Sequence, residues 1–487
     1  MISTIDTYQQ PTLEADVVVV GSGPAGLAVA AGLSDTGRRV LVLDSGTFNP
    51  APDPDLGSGR IEGSNPYYNL AECRSRGLGG STTLWGGWIE PLDAIDFETR
   101  PELTDATGWC LSRADLDPYY TEALAFCAVP EKVDVREWKR QDEARAAGAP
   151  LESRAFPALG PLQLGHRHAD VFTTGTTDLL LRATVTRIVT SRDGASVDHL
   201  VVASPQGEYR VTGDTFVLAT GGFETPRLLL ASPNRHWPEG LGNGHDVVGR
   251  YFMEHPHLDA LRLRGDSAAL DMSFFDGEPA GTSRDGAPMS VIGALMLSDE
   301  ACRSAGVGRA QLFLEDVGLH TQHRVAVEHR GRARPLAHSV PATSDELALV
   351  AVTEQVPNRD SRVVLGEDRD RYGVPKPVVH WELTDTDRRT VDVATSAARD
   401  LLLALGATDV RVRPDAWSLD TVGGPHHLGT TRMAHSPSNG VVNADSRVHG
   451  VSNLYIAGGS VFPTGGYAPP TLTAVALSLR LAHHLTP

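Results

Sequence analysis

The stretch DVVVVGSGPAGLAVAAGLSDTGRRVLVLD, residues 16–44, decides the fold. Residues 16–20 are a continuous β-branched run, as expected of a strand buried on both faces of a parallel sheet. A glycine-rich turn follows, then a segment of helical periodicity, then a second apolar strand ending at Asp44. Together they make a βαβ unit. Gly21, Gly23 and Gly26 fall as G-x-G-x-x-G between strand and helix. The first permits the tight turn, the second lets a pyrophosphate approach the backbone, and the third lets the helix pack on the strand. The phosphates would rest on the positive helix N-terminus. Asp44 stands where an acid bonds a ribose hydroxyl.

Working outward, residues 45–165 are rich in glycine, proline and turn signals, with a helix expected over 115–126. Alternating patterns at 179–190 and 197–211 read as strands of a meander leading into DTFVLATGG, residues 214–222. From about 256 to 414, LDALRLRG, ALVAVTEQV, SRVVLGE and KPVVHWEL alternate as antiparallel strands do. A helix over 385–407 closes this region. The tail returns to the first style, with a buried strand ending in Ala457-Gly458-Gly459-Ser460 and a helix opening at Pro470. The expected fold class is α/β: a Rossmann-like domain over 14–255 and 415–487, with an antiparallel-sheet-plus-helices domain, 256–414, inserted into it.

The chain has 487 residues, long enough for two lobes, and its net charge is −18. That charge argues against nucleic acid, which needs clustered Lys and Arg, and favours cationic ligands such as amino sugars over acidic ones. Cys73, Cys110, Cys127 and Cys302 form no CxxC pair, which suits a reducing compartment. The start lacks a basic region followed by an apolar stretch, and no apolar run is long enough to span a bilayer. A cytoplasmic protein without membrane contact is expected. His166 and His168, and His255 and His257, lack further ligands at metal spacing, so no metal is expected and these residues are assigned no role.

The segments ending ATGG and AGGS resemble the later signatures of FAD-binding folds. RSRGLGGSTTLWGGWIEP (74–91), GWCLSRADLDPYY (108–120), GNGHDVVGRYFMEHPH (242–257), HHLGTTRM (426–433) and the tail from 443 to 480 resemble glucose-methanol-choline (GMC) oxidoreductases, nearest the pyranose-oxidase-like branch. The resemblance implies FAD stretched through the first lobe, including the loops at 74–130, with substrate over its ring. Gly79, Gly80 and Ser81 resemble the loop along the flavin. Val185 resembles the residue whose backbone meets the adenine, and Gly459 the segment near the ribityl chain and phosphates. The helix at Pro470-Thr471 would aim its N-terminus at the flavin's pyrimidine end, where reduction places negative charge. In some pyranose oxidases a histidine is bonded covalently to the flavin; Leu84 occupies that position, so noncovalent FAD is expected.

By the same resemblance, His426 matches the catalytic histidine of the H-x-x-G-T pattern, with His427 beside it. Imidazole is a suitable base for the hydroxyl proton of an alcohol. The family's second active-site His or Asn falls on Pro469, which has no side-chain donor or acceptor. Tyr467 is the nearest replacement as a substrate contact, and His427 is the other candidate contact. Trp85 and Trp88 read as packing near the flavin. The expected reaction is oxidation of an alcohol on a sugar, amino sugar, glycoside or cyclitol. The chain resembles flavin enzymes that oxidise the 6'-hydroxymethyl group of aminoglycosides. Alternatives are a pyranose or C-glycoside 3-oxidase and a hydroxynitrile-lyase-type enzyme with structural FAD. The electron acceptor, oxygen or another, stays open.

Overall fold

The computed structural model describes all residues except 9–10, 64, 66, 134–136, 160–161, 174, 265–269, 276, 317–345, 415, 420–422 and 487. The valine run forms the strand Thr12–Val20, and Val17, Val18 and Val19 are wholly buried. It pairs in parallel with Val40–Leu43 on one side and with Gly207–Leu218 on the other. Thr177–Leu181 and then Ile2–Thr4 extend the first side, also in parallel. Gly207–Leu218 carries Val197–Ser204 and then Thr184–Thr190 as an antiparallel meander, and Leu454–Ile456 joins its C-terminal half. The meander expectation therefore holds from 184 onward. Thr177–Leu181 leaves it for the parallel sheet because Leu179, Leu180 and Leu181 are all buried, and Arg182, at φ 57°, turns the chain between the two strands.

The helix Pro24–Leu33 covers one face of this sheet and packs against the last helix, Thr471–Leu485. A Cβ on Gly32 would lie 2.6 Å from the Ala482 Cβ, so two small residues set how closely the helices approach. The expected helix at 115–126 begins slightly earlier, as Arg113–Phe126, behind a capping box of Ser112 and Asp115.

A second sheet runs Glu278–Thr282, Pro288–Leu297, Ala310–Asp316, Glu346–Thr353, His257–Arg264, Thr408–Val412. The helix Asp385–Ala404 lies on it through Val391, Ala394, Ala398, Leu401 and Leu402. Two departures from the expected 256–414 insertion stand out. Leu151–Leu159, from the first segment, pairs along the whole of Pro288–Leu297. Arg362–Arg369 and Pro375–His380 stay out of the second sheet and pair with each other, and Pro375–His380 also pairs with Arg60–Glu62, because Val363 and Val379 bury with Phe223, Phe252 and Trp381.

A buried ion pair ties these parts together. Arg100 Nη1 donates to Glu354 Oε2 at 2.9 Å, with side chains 1% and 0% exposed. Losing one partner strands the other charge without water. Arg100→Met is predicted to cost about 3 kcal/mol, checked as a lower urea midpoint at unchanged slope.

Candidate active site

One cavity of about 630 Å³ runs from the glycine turn to the loop at 424–428. At its first end Gly21 has φ 101°, and a Cβ there would meet the Ala219 carbonyl oxygen at 2.5 Å. A Cβ on Gly26 would fall 1.9 Å from the Gly21 carbonyl oxygen. Gly26 thus lies behind the cavity wall, holding helix against turn. Gly23 faces open space and lines the cavity. Asp44 is buried and lines the cavity too; its Oδ2 accepts from Ser22 N at 2.8 Å and its Oδ1 from Gly46 N at 2.8 Å. The acid therefore anchors the glycine turn, a task the spacing argument did not assign to it.

Gly79 does not line the cavity, but its N–H donates to Ser22 O at 2.8 Å, fastening the second loop across the first. Gly80, Ser81, Val185 and Gly459 line the cavity as expected. So do Pro470 and Thr471, where the last helix starts without a side-chain cap. Pro24–Leu33 likewise starts without one. Two helix N-termini thus present backbone N–H groups to one elongated cavity. This suits a dinucleotide with phosphates at one end and a developing anion at the other.

At the far end stands His426. Glu254, fully buried, accepts from Gly424 N at 3.0 Å and His426 N at 2.8 Å through Oε2, while Oε1 meets the Tyr67 hydroxyl. Gly429, at φ 82°, turns the loop, and Thr430 Oγ1 donates to Gly222 O at 2.7 Å. His426 and His427 both line the cavity. The His427 ring lies over Phe223, with centroids 4.0 Å apart, and its Nε2 sits 3.7 Å from Glu254 Oε1.

Two histidines set aside in the sequence prove to be neighbours of His426. His255 Nδ1 lies 2.8 Å from His426 Nδ1. His257 lines the cavity, with its Nδ1 bonded to His255 O at 2.7 Å. The only sequence signal was their placement in one resembling block; no local periodicity couples residue 255 to residue 426. Burial, reinforced by the neighbouring histidines, holds His426 well below the ordinary histidine pKa, so its imidazole is neutral. Burial likewise lowers His255 to about 4. His168 is elsewhere, stacked on Phe126. Among the described residues no group of three or more His, Cys, Asp or Glu is arranged to hold a metal.

Tyr467 does not fill the substrate-contact role. It is buried away from the cavity, its hydroxyl accepting from Arg154 Nη1 at 2.6 Å and lying 2.9 Å from Asp93 Oδ2. Charged neighbours have claimed the phenol. Trp85 and Trp88 both line the cavity. Trp88 packs on Phe156 and Phe313, and Trp85 Nε1 donates to Leu162 O at 2.9 Å. The second sheet contributes His257, Leu258, Asp259, Glu315 and Val350 to the wall, with Asp259 ion-paired to Arg262 and to Arg413 at 2.8 Å.

The fold and cavity define a dinucleotide-dependent oxidoreductase. Residues 357–478 match the GMC oxidoreductase family, and residues 19–48 match the NAD(P)-binding Rossmann-like domain. The large subunit of fructose dehydrogenase from Gluconobacter japonicus is 24% identical, over 97% of each chain. Paromamine 6'-oxidase from Streptomyces fradiae is 27% identical, over 96% of this chain and 90% of its own. Among solved structures, pyridoxine 4-oxidase from Mesorbium loti shares the fold with a TM-score of 0.59 at 17% identity, over 96% of this chain and 99% of that one. The chain carries a GMC oxidoreductase C-terminal domain beside a Rossmann-like dinucleotide-binding segment and is an FAD-dependent oxidoreductase. No helix among the described residues is long and apolar enough to cross a membrane.

Glu254 generates a testable pH dependence. Burial pushes its carboxyl up to about 7, against the lowering pull of Tyr67 and the two N–H donors. The folded chain therefore binds this proton more tightly than the unfolded one, whose carboxyl titrates at 4.5. The resulting stability is complete below pH 4.5 and is lost as pH rises through about 7. Glu254→Gln keeps an oxygen for the N–H pair but does not titrate. Melting temperatures of both proteins, taken from pH 5 to 8, are predicted to fall more steeply for the native chain.

Proposed function

We propose that this enzyme oxidises an alcohol carbon on an amino-bearing sugar ring, with His426 as the base that takes the hydroxyl proton. The observation that carries the reading is the placement of a neutral imidazole, clamped through its backbone by Glu254, on the wall of the dinucleotide cavity. FAD, when bound, supplies the hydride acceptor. The chain supplies the rest: a base in its unprotonated form, a helix N-terminus at Thr471 for negative charge, and second-sheet residues that close over the substrate. A buried base near the reacting hydroxyl contributes about 10²–10⁴-fold.

Two features favour an amino sugar over a neutral one. Glu315 lies on the cavity wall, and the chain carries a net charge of −18. A cationic ring gains from both. The likeness to paromamine 6'-oxidase along nearly the whole chain supports a primary hydroxymethyl group of an aminoglycoside as the reacting group.

The test is anaerobic bleaching of the bound flavin by paromamine and related amino sugars against neutral sugars. Amino sugars are expected to reduce it faster, and equal or slower reduction by them would remove the cationic preference. His426→Ala is predicted to keep its flavin and lose about 10²–10⁴-fold in reduction rate; a near-native rate would reject His426 as the base.

We also infer that FAD is held without a covalent bond, because Leu84 lines the cavity and offers no nucleophile. Acid precipitation is predicted to release the yellow chromophore into the supernatant, and a coloured pellet would contradict this.

A further inference from the structure

We propose that His255 is a positioning residue that fixes the tautomer of His426, so that Nε2 of His426 is the bare nitrogen. The inference rests on His426 being the proton acceptor, and it adds what makes one of its two nitrogens the acceptor.

The two Nδ1 atoms are 2.8 Å apart, so one donates and the other accepts. A neutral imidazole carries a single N–H. His255 is fully buried, and its Nε2 lies 3.3 Å from the Gly465 carbonyl oxygen. A carbonyl oxygen only accepts, so the His255 proton belongs on Nε2 and its Nδ1 is bare. His426 must then donate from Nδ1, which leaves its Nε2 with a free lone pair. The reverse arrangement would set a bare nitrogen against a buried carbonyl oxygen and leave both unsatisfied.

The surroundings serve this chain of bonds. The rings stand 79° apart with centroids at 4.9 Å, edge toward face. His257 is tied to the backbone oxygen of His255 and leaves both ring nitrogens alone. A Cβ on Gly465 would come within 3.2 Å of His255 Nε2, and a Cβ on Gly424 within 3.2 Å of His426 Nδ1. Gly465 keeps space at the far end of the relay and Gly424 beside its central bond. His255 does not line the cavity, so it acts through His426. When the substrate O–H bond breaks and the proton arrives at Nε2, the imidazolium keeps an acceptor for its Nδ1–H. The new charge is stabilised without burying an opposite one. The other titratable groups facing the pair are His257, His427, Glu254 and Glu354.

The experiment uses the FAD-loaded full chain. His255→Phe keeps a ring and removes the acceptor; His255→Asn places an amide oxygen where Nδ1 was. In ¹⁵N-histidine-labelled protein, with His426 assigned from the signals missing in His426→Ala, the native chain should show Nδ1–H and bare Nε2. His255→Phe should show a mixture of tautomers, keep its substrate dissociation constant and lose roughly 10²-fold in flavin reduction, less than the ~10⁴-fold seen when a charged orienting partner is lost. His255→Asn should restore most of the rate, and it decides the matter if the phenylalanine variant fails to fold. An unchanged tautomer in His255→Phe, or no recovery in His255→Asn, overturns the proposal. If His255→Phe behaves natively while His426→Ala is inactive, His426 stands as the base and the positioning role falls. If His426→Ala stays active, the base assignment falls, and the ¹⁵N signals still report whether His255 sets the tautomer.

Discussion

The active site depends on one buried carboxylate. Glu254 receives two backbone N–H groups of the loop that carries His426, and a phenol from the segment near residue 67. Loops are ordinarily mobile, and a base must be held to a fraction of an ångström. Here the backbone is pinned through an acid that has no water to turn to, so releasing the loop means leaving Glu254 unsatisfied. The same residue begins the Glu254-His255-Pro256-His257 run. One short segment therefore fixes the loop's backbone and the histidine's ring by separate bonds.

A second set of buried charges joins the sheets. Arg100 meets Glu354, and Arg309 reaches Asp93 at 2.6 Å while its guanidinium sits over the Tyr467 ring. This network explains why Tyr467, next to the helix that closes the cavity, faces away from it. The phenol joins a group of Glu90, Asp93 and Arg154, donating toward Glu90 Oε1 at 3.1 Å and accepting from Arg154. It thereby holds the segment leading to Thr471 in place.

What the sequence revealed follows the range of the interactions involved. The βαβ unit was legible because its cause is local: a run of valines, three glycines at fixed spacing, an acid at the strand's end. Most of the expected cofactor residues line one cavity for the same reason. Leu151–Leu159 was not legible as part of the second sheet, because its partner strand lies at 288–297 and no local pattern encodes that pairing. His255 was missed for a like cause. Its role comes from a contact with residue 426, and each histidine alone looks like any buried histidine. Asp44 lines the cavity, yet its bonds to Ser22 and Gly46 depend on turn geometry that spacing does not carry.

The nucleotide-binding sheet is assembled from both extremes of the chain. Thr12–Val20 lies beside Gly207–Leu218, which waits for Leu454–Ile456, and Gly32 is seated against Ala482. Contacts of such long sequence separation form late and slowly. During synthesis the first βαβ unit emerges well before the helix that covers it and the strand that extends its sheet. Until then its apolar face is open to other chains. Shelter for that half-built sheet therefore bears on how much of the chain reaches its fold, separately from the stability of the finished enzyme.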